Sequence, residues 1–216
     1  MRISKLAPSQ RVAGRWLCHL EDGTILRITE NEIVAFGLCS GLELTTEQLE
    51  AVERAAKAAA VRDKAMDLLA ARPLSRKELV DKLTARPRNK DKEPLADRET
   101  AEAAADRLEE LGYLNDESYA RTVADHYAAK GWGPSRVREE LYRRGVPREY
   151  WDGALEDLDA PDDAIDTFLQ KKLRGADLTD PKTYQRAANA LARRGFRWED
   201  IKEGLRRYGA AMEEEF

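Results

Sequence analysis

The sequence has 216 residues, of which 42% are hydrophobic and 36% charged, and its formal net charge is −4. A chain of this length buries roughly 70% of its unfolded surface on folding, which is enough for a real core. The composition is typical of helices that keep one charged face in water, and it excludes a chain that is disordered throughout. The negative net charge gives no overall attraction to nucleic acid or anionic lipid, so any basic surface must be a local patch.

The cysteines and the hydrophobic pattern indicate the compartment. Cys18 and Cys39 are not preceded by a signal peptide, so we expect both thiols to be reduced. Charged residues interrupt every apolar stretch before it reaches the ~20 residues that span a bilayer. These features predict a soluble, cytoplasmic protein.

The first 44 residues differ from the rest of the chain. Between residues 11 and 28, apolar residues alternate up to Leu20, and β-branched residues resume after Asp22 and Gly23. An Asp-Gly pair suits a tight turn, so we predict a β-hairpin. A hairpin alone is marginal, and a short helix at residues 32–36 is expected to support it. Residues 1–44 are therefore predicted to be an N-terminal β-hairpin extension.

Helical periodicity begins after this extension. Thr45 and Gln48 form a capping-box pattern, in which each side chain accepts a hydrogen bond from the backbone of the other. Apolar residues then recur at helical spacing until Pro73, which cannot continue a helix. This pattern predicts one long helix or two joined helices.

Three strings, at residues 69–83, 127–141 and 191–205, align without gaps. Each has a helix breaker at its fifth position, a large apolar residue at its sixth, and two further apolar columns four residues apart: Pro73, Gly131 and Gly195; Leu74, Trp132 and Phe196; Leu79, Val137 and Ile201; Leu83, Leu141 and Leu205. The pattern predicts a helix, a tight turn and a second helix. Chance similarity among helices rich in Ala, Leu and Arg is the alternative.

The spacing between these strings leaves room for a third helix in each repeat. We predict a mainly all-α fold of three tandem three-helix repeats, at residues 45–115, 116–160 and 161–216, in an elongated curved array. Such arrays present long surfaces that suit extended partners.

Signatures of catalysis are missing from the sequence. It contains no phosphate-binding loop, and Gly131-Trp132-Gly133 lacks the third glycine and the preceding strand of a dinucleotide site. His19 and His126 do not stand at zinc-ligand spacing from either cysteine, apart from the adjacent pair Cys18 and His19. We expect no enzymatic activity, no cofactor and no metal.

The most specific strings are Gly112, Tyr113, Leu114, Asn115 and Asp116, and then Lys130, Gly131, Trp132, Gly133 and Pro134, with Leu141 and Gly145 following. They closely resemble the RecX family of recombination regulators, and the resemblance runs from about residue 55 to residue 208. It implies a regulator that binds the RecA filament on single-stranded DNA and inhibits its recombinase, ATPase and co-protease activities. Single-stranded DNA would be reached mainly through RecA, with weak direct contact left open.

Most of these motif residues have structural duties. Gly112 is expected to end a helix in the left-handed conformation, with Tyr113 and Leu114 packed back on that helix. Asn115 or Asp116 is expected to cap the next helix. Gly133 and Pro134 are expected to begin a helix, and Pro147 is expected to open the helix that follows it. The spacing of Tyr119, Val123 and Tyr127 is typical of a core-facing stripe.

Two segments are basic although the whole chain is acidic. Residues 119–149 carry seven basic and four acidic side chains, and residues 183–209 carry seven and three. The candidate partner-binding residues are Lys130, Arg136, Arg138, Arg143, Arg144, Arg194, Arg197 and Arg207. The alternative is intrahelical pairing of Glu139 with Arg143 and of Glu140 with Arg144.

Two other functions remain open at this stage. A helix, a glycine turn and a second helix with exposed arginines also describe a direct DNA-binding module. A helical scaffold for another protein partner would show the same periodicity. Binding to DNA with and without RecA distinguishes these possibilities.

Overall fold

A computed structural model describes residues 1–87, 93–156, 161–174 and 178–214. These residues form a small antiparallel sheet followed by ten α-helices, which confirms the mainly helical fold with an N-terminal β segment. The chain divides into two compact units. The first unit is Met1–Arg72 with Leu79–Tyr113, and the second unit is Pro73–Glu78 with Leu114–Phe216.

The strands are β1 (Ile3–Pro8), β2 (Arg15–Leu20) and β3 (Ile25–Thr29). The helices are α1 (Glu30–Phe36), α2 (Thr46–Ala71), α3 (Arg76–Leu83), α4 (Arg98–Glu110), α5 (Asp116–Ala128), α6 (Pro134–Arg143), α7 (Trp151–Glu156), α8 (Pro161–Leu173), α9 (Pro181–Arg193) and α10 (Trp198–Glu214). A 3₁₀ turn at Arg148–Tyr150 precedes α7.

The predicted hairpin is present as β2 and β3, but the sheet has a third strand that the sequence pattern did not reveal. Strand β1 pairs antiparallel with β2, and Ile3 stands opposite Leu20. Ile3 is fully buried in a cluster that includes Val52 and Ala56 of α2. The third strand and this helix provide the support that an isolated hairpin lacks.

Helix α2 begins with the predicted capping box. The Thr45 N–H donates to Gln48 Oε1 at 2.9 Å, and the Gln48 N–H donates to Thr45 Oγ1 at 3.2 Å. Both bonds satisfy donors that the first turn of a helix leaves without partners. The helix then runs without a break to Ala71, so the region is one long helix.

Two helical clusters form the cores of the second unit. One is built from α5, α6 and α7 around Val137 and Leu141, and the other from α8, α9 and α10 around Ile201 and Leu205. All four of these side chains are 0–2% exposed. The predicted apolar columns are therefore core positions.

The sequence alignment matched residues 191–205 with the first and second helices of a repeat, and this match is wrong by one helix. Residues 127–141 run from α5 to α6, the first and second helices of their cluster, whereas residues 191–205 run from α9 to α10, the second and third. The strings that match are Arg143-Arg144-Gly145-Val146 and Arg193-Arg194-Gly195-Phe196. Each ends a second helix at a left-handed glycine, with φ of 69° and 86°, and continues into a buried apolar residue. Both turns of a three-helix repeat use this pattern, so spacing alone did not distinguish them.

The motif around Gly112 behaves largely as predicted. Gly112 has φ of 76°, Leu114 is buried, and the Asn115 side chain caps α5 by accepting from the Ser118 N–H at 2.8 Å. The prediction for Tyr113 is wrong, because its side chain is 58% exposed.

The structure confirms the predicted start of α6 but not the predicted start of the following helix. Gly133 precedes α6 as its N-cap and Pro134 is its first residue, as predicted. Pro147 was expected to open the following helix, but it precedes the 3₁₀ turn, and α7 begins only at Trp151.

Substitution of Leu141 by alanine tests the core of the second unit. Leu141 is fully buried, so Leu141→Ala should lower the free energy of unfolding by about 2–5 kcal/mol. The neighbouring Tyr142 is 70% exposed, and Tyr142→Ala should change it by less than about 0.5 kcal/mol. Urea denaturation of both variants measures the difference, and equal midpoints would contradict the assignment of the core face.

Candidate functional site

The candidate cations fall into two groups. Arg136, Arg144, Arg194 and Arg207 are engaged in contacts within the second unit. Lys130, Arg143 and Arg197 are exposed, and Arg138, whose side chain is 33% exposed, has only a long ion pair with an exposed carboxylate. The second group is called the outward cations below. Sequence spacing did not separate the two groups, because all eight residues belong to the same basic segments.

Arg144 belongs to a polar network and is only 23% exposed. Its guanidinium donates to the Tyr119 hydroxyl at 2.7 Å, and that hydroxyl donates to the Glu78 carboxylate at 2.6 Å. Burial and the Glu78 carboxylate raise the pKa of Tyr119, which keeps its hydroxyl protonated. The network therefore holds Arg144 in place. Tyr119, which was predicted to be a core residue, also makes hydrogen bonds through its hydroxyl.

The start of α3 packs on the end of α6 beside this network. Ser75 caps α3 by accepting from the Glu78 N–H at 3.0 Å, and its hydroxyl donates to the carbonyl of Arg144. A Cβ added to Gly145 would meet the Lys77 side chain. This close approach gives Gly145 a structural role besides its positive φ.

The start of α6 bonds the end of α9 in a similar way, here through backbone N–H groups. The Gly133 N–H donates to the carbonyl of Arg194 at 2.8 Å, and the Ser135 N–H donates to the carbonyl of Gly195 at 3.0 Å. A Cβ on Gly133 would lie 2.5 Å from the backbone of Gly195, and one on Gly195 would lie 2.5 Å from the Arg136 nitrogen. Glycine at both positions lets the two backbones touch. We call this arrangement, in which the start of one second helix bonds the end of the next, the helix joint.

Arg194 and Arg136 support the helix joint with their side chains. Arg194 donates to the carbonyl of Gly131 at 3.0 Å, and its guanidinium lies 4.6 Å from the Phe168 ring centre and 5.7 Å from that of Trp132. Arg136 also lies against Trp132, at 5.5 Å, and its side chain is 41% exposed. These contacts explain the conformation of Trp132 as a packed, half-buried residue.

Arg207, the fourth engaged cation, is held by ion pairs. The ion pairs of Glu139 and Glu140 differ in part from those that the sequence suggested. Arg207 pairs with Asp162 and Asp166, each at 3.0 Å. The suggested pair of Glu140 and Arg144 is present at 3.8 Å. Glu139, however, accepts from Arg136 at 2.6 Å, and Arg143 pairs with Glu140 at 2.6 Å.

Glu140 is the buried carboxylate of this region and is 4% exposed. Burial by itself would raise its pKa, but hydrogen bonds from Arg143 and Tyr127 and the charges of Arg143 and Arg144 outweigh burial and lower the pKa below 4.5. A buried carboxylate that accepts from several cations is stable only as an anion. Glu140 therefore fixes the arginines around it.

The outward cations have weaker ties. Arg138 reaches the exposed Asp152 at 3.5 Å, and Arg143 is 69% exposed although it bonds Glu140. Lys130 lies 5.8 Å from the Tyr127 ring centre, and within the described ranges neither it nor Arg197 forms an ion pair. Lys130, Arg138 and Arg197 are available to an anionic partner, whereas Arg143 would engage one only by giving up its bonds to Glu140.

Two other features are absent from the residues that the structure describes. No three His, Cys, Asp or Glu side chains among them form a metal-ligand group. No helix that they form is long and apolar enough to cross a membrane.

Comparison with known proteins identifies the repeats. Residues 115–155 match the second three-helix domain of RecX, and residues 161–205 match its third three-helix domain. The chain is 37% identical to the regulatory protein RecX of Pseudomonas entomophila over 143 residues, covering 66% of this chain and 87% of that protein. It is also 37% identical to the RecX of Pseudomonas fluorescens strain SBW25 over 147 residues, covering 68% and 90%.

Solved structures share the fold. A crystal structure of regulatory protein RecX superposes with a TM-score of 0.73 at 22% identity, covering 94% of this chain and 98% of that one. RecX from Lactobacillus salivarius gives 0.59 at 19% identity, covering 72% and 97%. The sequence similarity places the chain among regulatory proteins, and the solved structures show that it shares their helical fold. The chain belongs to the RecX family.

The helix joint can be tested with two glycine substitutions. Gly195→Ala combines a positive φ with a clash against the backbone of Arg136, and it should lower the free energy of unfolding by about 2–4 kcal/mol. Gly112 has a similar φ and nothing within 4 Å of an added Cβ, so Gly112→Ala should cost only about 1–2 kcal/mol. Thermal or urea unfolding measures both, and an equal loss would show that the two backbones are not in close contact.

The ion pairs of Glu140 predict a pH dependence. Because the folded pKa lies below the unfolded value near 4.5, the stabilisation is present above about pH 4.5 and is lost as the pH falls through the folded pKa. Glu140→Gln should therefore be less stable than the wild type at pH 7, and this difference should shrink in acid. Glu139→Gln, at a 65% exposed site, should show a small difference at every pH. A constant difference for Glu140→Gln across this range would contradict the role of its charge.

Proposed function

We propose that this chain binds the RecA filament assembled on single-stranded DNA and inhibits its recombinase, ATPase and co-protease activities. The observation that carries the proposal is the 37% identity shared with proteins named regulatory protein RecX over 87–90% of their length. The chain acts by binding, and ATP hydrolysis and strand exchange remain the work of RecA.

The outward cations are the proposed contact surface. Arginine contributes strongly at protein interfaces when it is desolvated against a partner. Arg138 and Arg143 lie on α6, Lys130 lies just before it, and none of them forms part of the helix joint. Charge at these positions can therefore engage a partner without disturbing the contacts between the repeats.

The helix joint is an argument for an extended binding partner. Within the second unit, the Ser75 hydroxyl bonds the carbonyl of Arg144 at the end of α6, and the N–H groups of Gly133 and Ser135 at its start bond the end of α9, so α6 is held at both of its ends. Repeat proteins use helices held in this way to bind long or repeating partners. A protein filament on DNA is a partner of this kind.

Reversal of three outward cations tests the proposal. Lys130→Glu, Arg138→Glu and Arg197→Glu combined should leave the circular dichroism spectrum unchanged and abolish inhibition of RecA-driven strand exchange, with Arg143 kept because it bonds the buried Glu140. Three side chains that each contribute more than about 1.4 kcal/mol would weaken binding by about a thousandfold. Arg136 stays unchanged in this variant, because it pairs with Glu139 and Glu140 and supports the helix joint.

A matched control reverses exposed arginines of the first unit. Arg54, Arg98 and Arg107 are 55–79% exposed, and their combined change to Glu alters the net charge by the same amount. This control variant should inhibit like the wild type. Full inhibition by the Lys130, Arg138 and Arg197 variant would overturn the proposed contact surface.

Co-sedimentation with RecA on single-stranded DNA, beside bare DNA, tests the function itself. A filament regulator should sediment far better with the filament. A scaffold for an unrelated protein would sediment with neither, and that result would overturn the proposed function.

A further inference from the structure

A groove of about 520 Å³ lies within the second unit, and none of the outward cations lines it. Helix α9 contributes Arg186, Asn189, Ala190 and Arg193 to its lining. These positions follow the i, i+3, i+4, i+7 spacing of a single helix face. The opposite face of α9 buries Ala187, Ala188 and Leu191 in the core, so the groove-facing side chains are held in a fixed orientation.

The lining of the groove is strongly basic. Lys172 of α8 joins Arg186, Arg193 and Arg194, and no carboxylate contributes to the lining. Lys172, Arg186 and Arg193 are exposed and form no ion pair with any residue that the structure describes. Elsewhere in the second unit, arginines such as Arg143, Arg206 and Arg207 have carboxylate partners within 3.0 Å. Three unpaired cations around one concavity favour an anionic ligand.

The aromatic residues of the groove do not offer free faces for stacking. Arg194 lies over both Phe168 and Trp132, and Arg136 also lies over Trp132. Bases that bind single-strand proteins usually stack on uncovered aromatic rings. The groove is therefore suited to the charged backbone of a ligand rather than to reading its bases.

Phosphates of a nucleic acid match this lining better than carboxylates of a protein segment. A nucleic-acid strand carries one negative charge at every nucleotide, whereas a protein segment needs a run of acidic side chains. Guanidinium groups donate two parallel hydrogen bonds to phosphate, and Arg186 and Arg193 stand two helical turns apart along α9. The Asn189 amide lies between them and supplies a further donor.

We propose that the groove between α8 and α9 binds the phosphodiester backbone of single-stranded nucleic acid through Lys172, Arg186 and Arg193. Binding is independent of base sequence and does not require RecA, so this proposal holds or fails separately from the proposed function.

The test is fluorescence anisotropy of a labelled oligo(dT) of 20 nucleotides with the full chain, in the absence of RecA, over a series of salt concentrations. With three phosphate contacts, log K should fall against log salt with a slope of about −2, since each contact on single strands contributes about −0.7. The variant Lys172→Gln, Arg186→Gln and Arg193→Gln should lose at least tenfold in affinity at low salt and nearly all of the slope. Each single change should reduce the slope by about 0.7.

Two comparisons define what would overturn the proposal. The control variant Arg54→Gln, Arg98→Gln and Arg107→Gln has the same net charge as the groove variant and should bind like the wild type. Poly-glutamate and a 20-base-pair duplex are tested with the same proteins. No binding of oligo(dT), unchanged binding by the groove variant, or tighter groove-dependent binding of poly-glutamate or duplex would each overturn it.

Discussion

The helix joint is the contact on which the second unit depends. A helix leaves the carbonyls of its last turn without partners, and here the carbonyls of Arg144 and Arg194 are satisfied by the start of the preceding second helix. The backbones of α6 and α9 approach closely only because Gly133 and Gly195 have no Cβ, and the Lys77 side chain occupies the place that a Cβ on Gly145 would take. The joint therefore supplies hydrogen bonds and close packing at the same point, and it occurs twice.

The contacts around the helix joint also determine which cations remain free to bind a partner. Arg136 and Arg194 flank the joint and lie over Trp132, and Arg144 is held by Tyr119 and by carboxylates that include the buried Glu140. A buried carboxylate is tolerated only where cations and hydrogen bonds compensate for lost water. The cations left over are the outward cations and those that line the groove along α9, and both sets lie on the second unit. One is proposed to contact the RecA filament and the other a nucleic-acid strand.

These two surfaces use different physical chemistry. The outward cations do not line the groove, and an arginine at such a site gains most when a protein partner excludes water from it. The cations of the groove converge on one concavity, where their combined field attracts an anion and the attraction weakens with salt. A single chain that carries both would contact a protein–DNA filament through both of its components.

Local chemistry determined much of this protein from the sequence alone. The capping box at Thr45, the left-handed Gly112, the cap at Asn115 and the buried columns around Leu141 each depend on residues a few positions apart, and all of them are present. The family resemblance rested on the same short strings. Only the tertiary structure decided strand β1, the register of the third repeat and the division between engaged and outward arginines. Glu78 and Arg144, or Gly133 and Gly195, stand more than 60 residues apart, and no periodicity reports a contact over that distance.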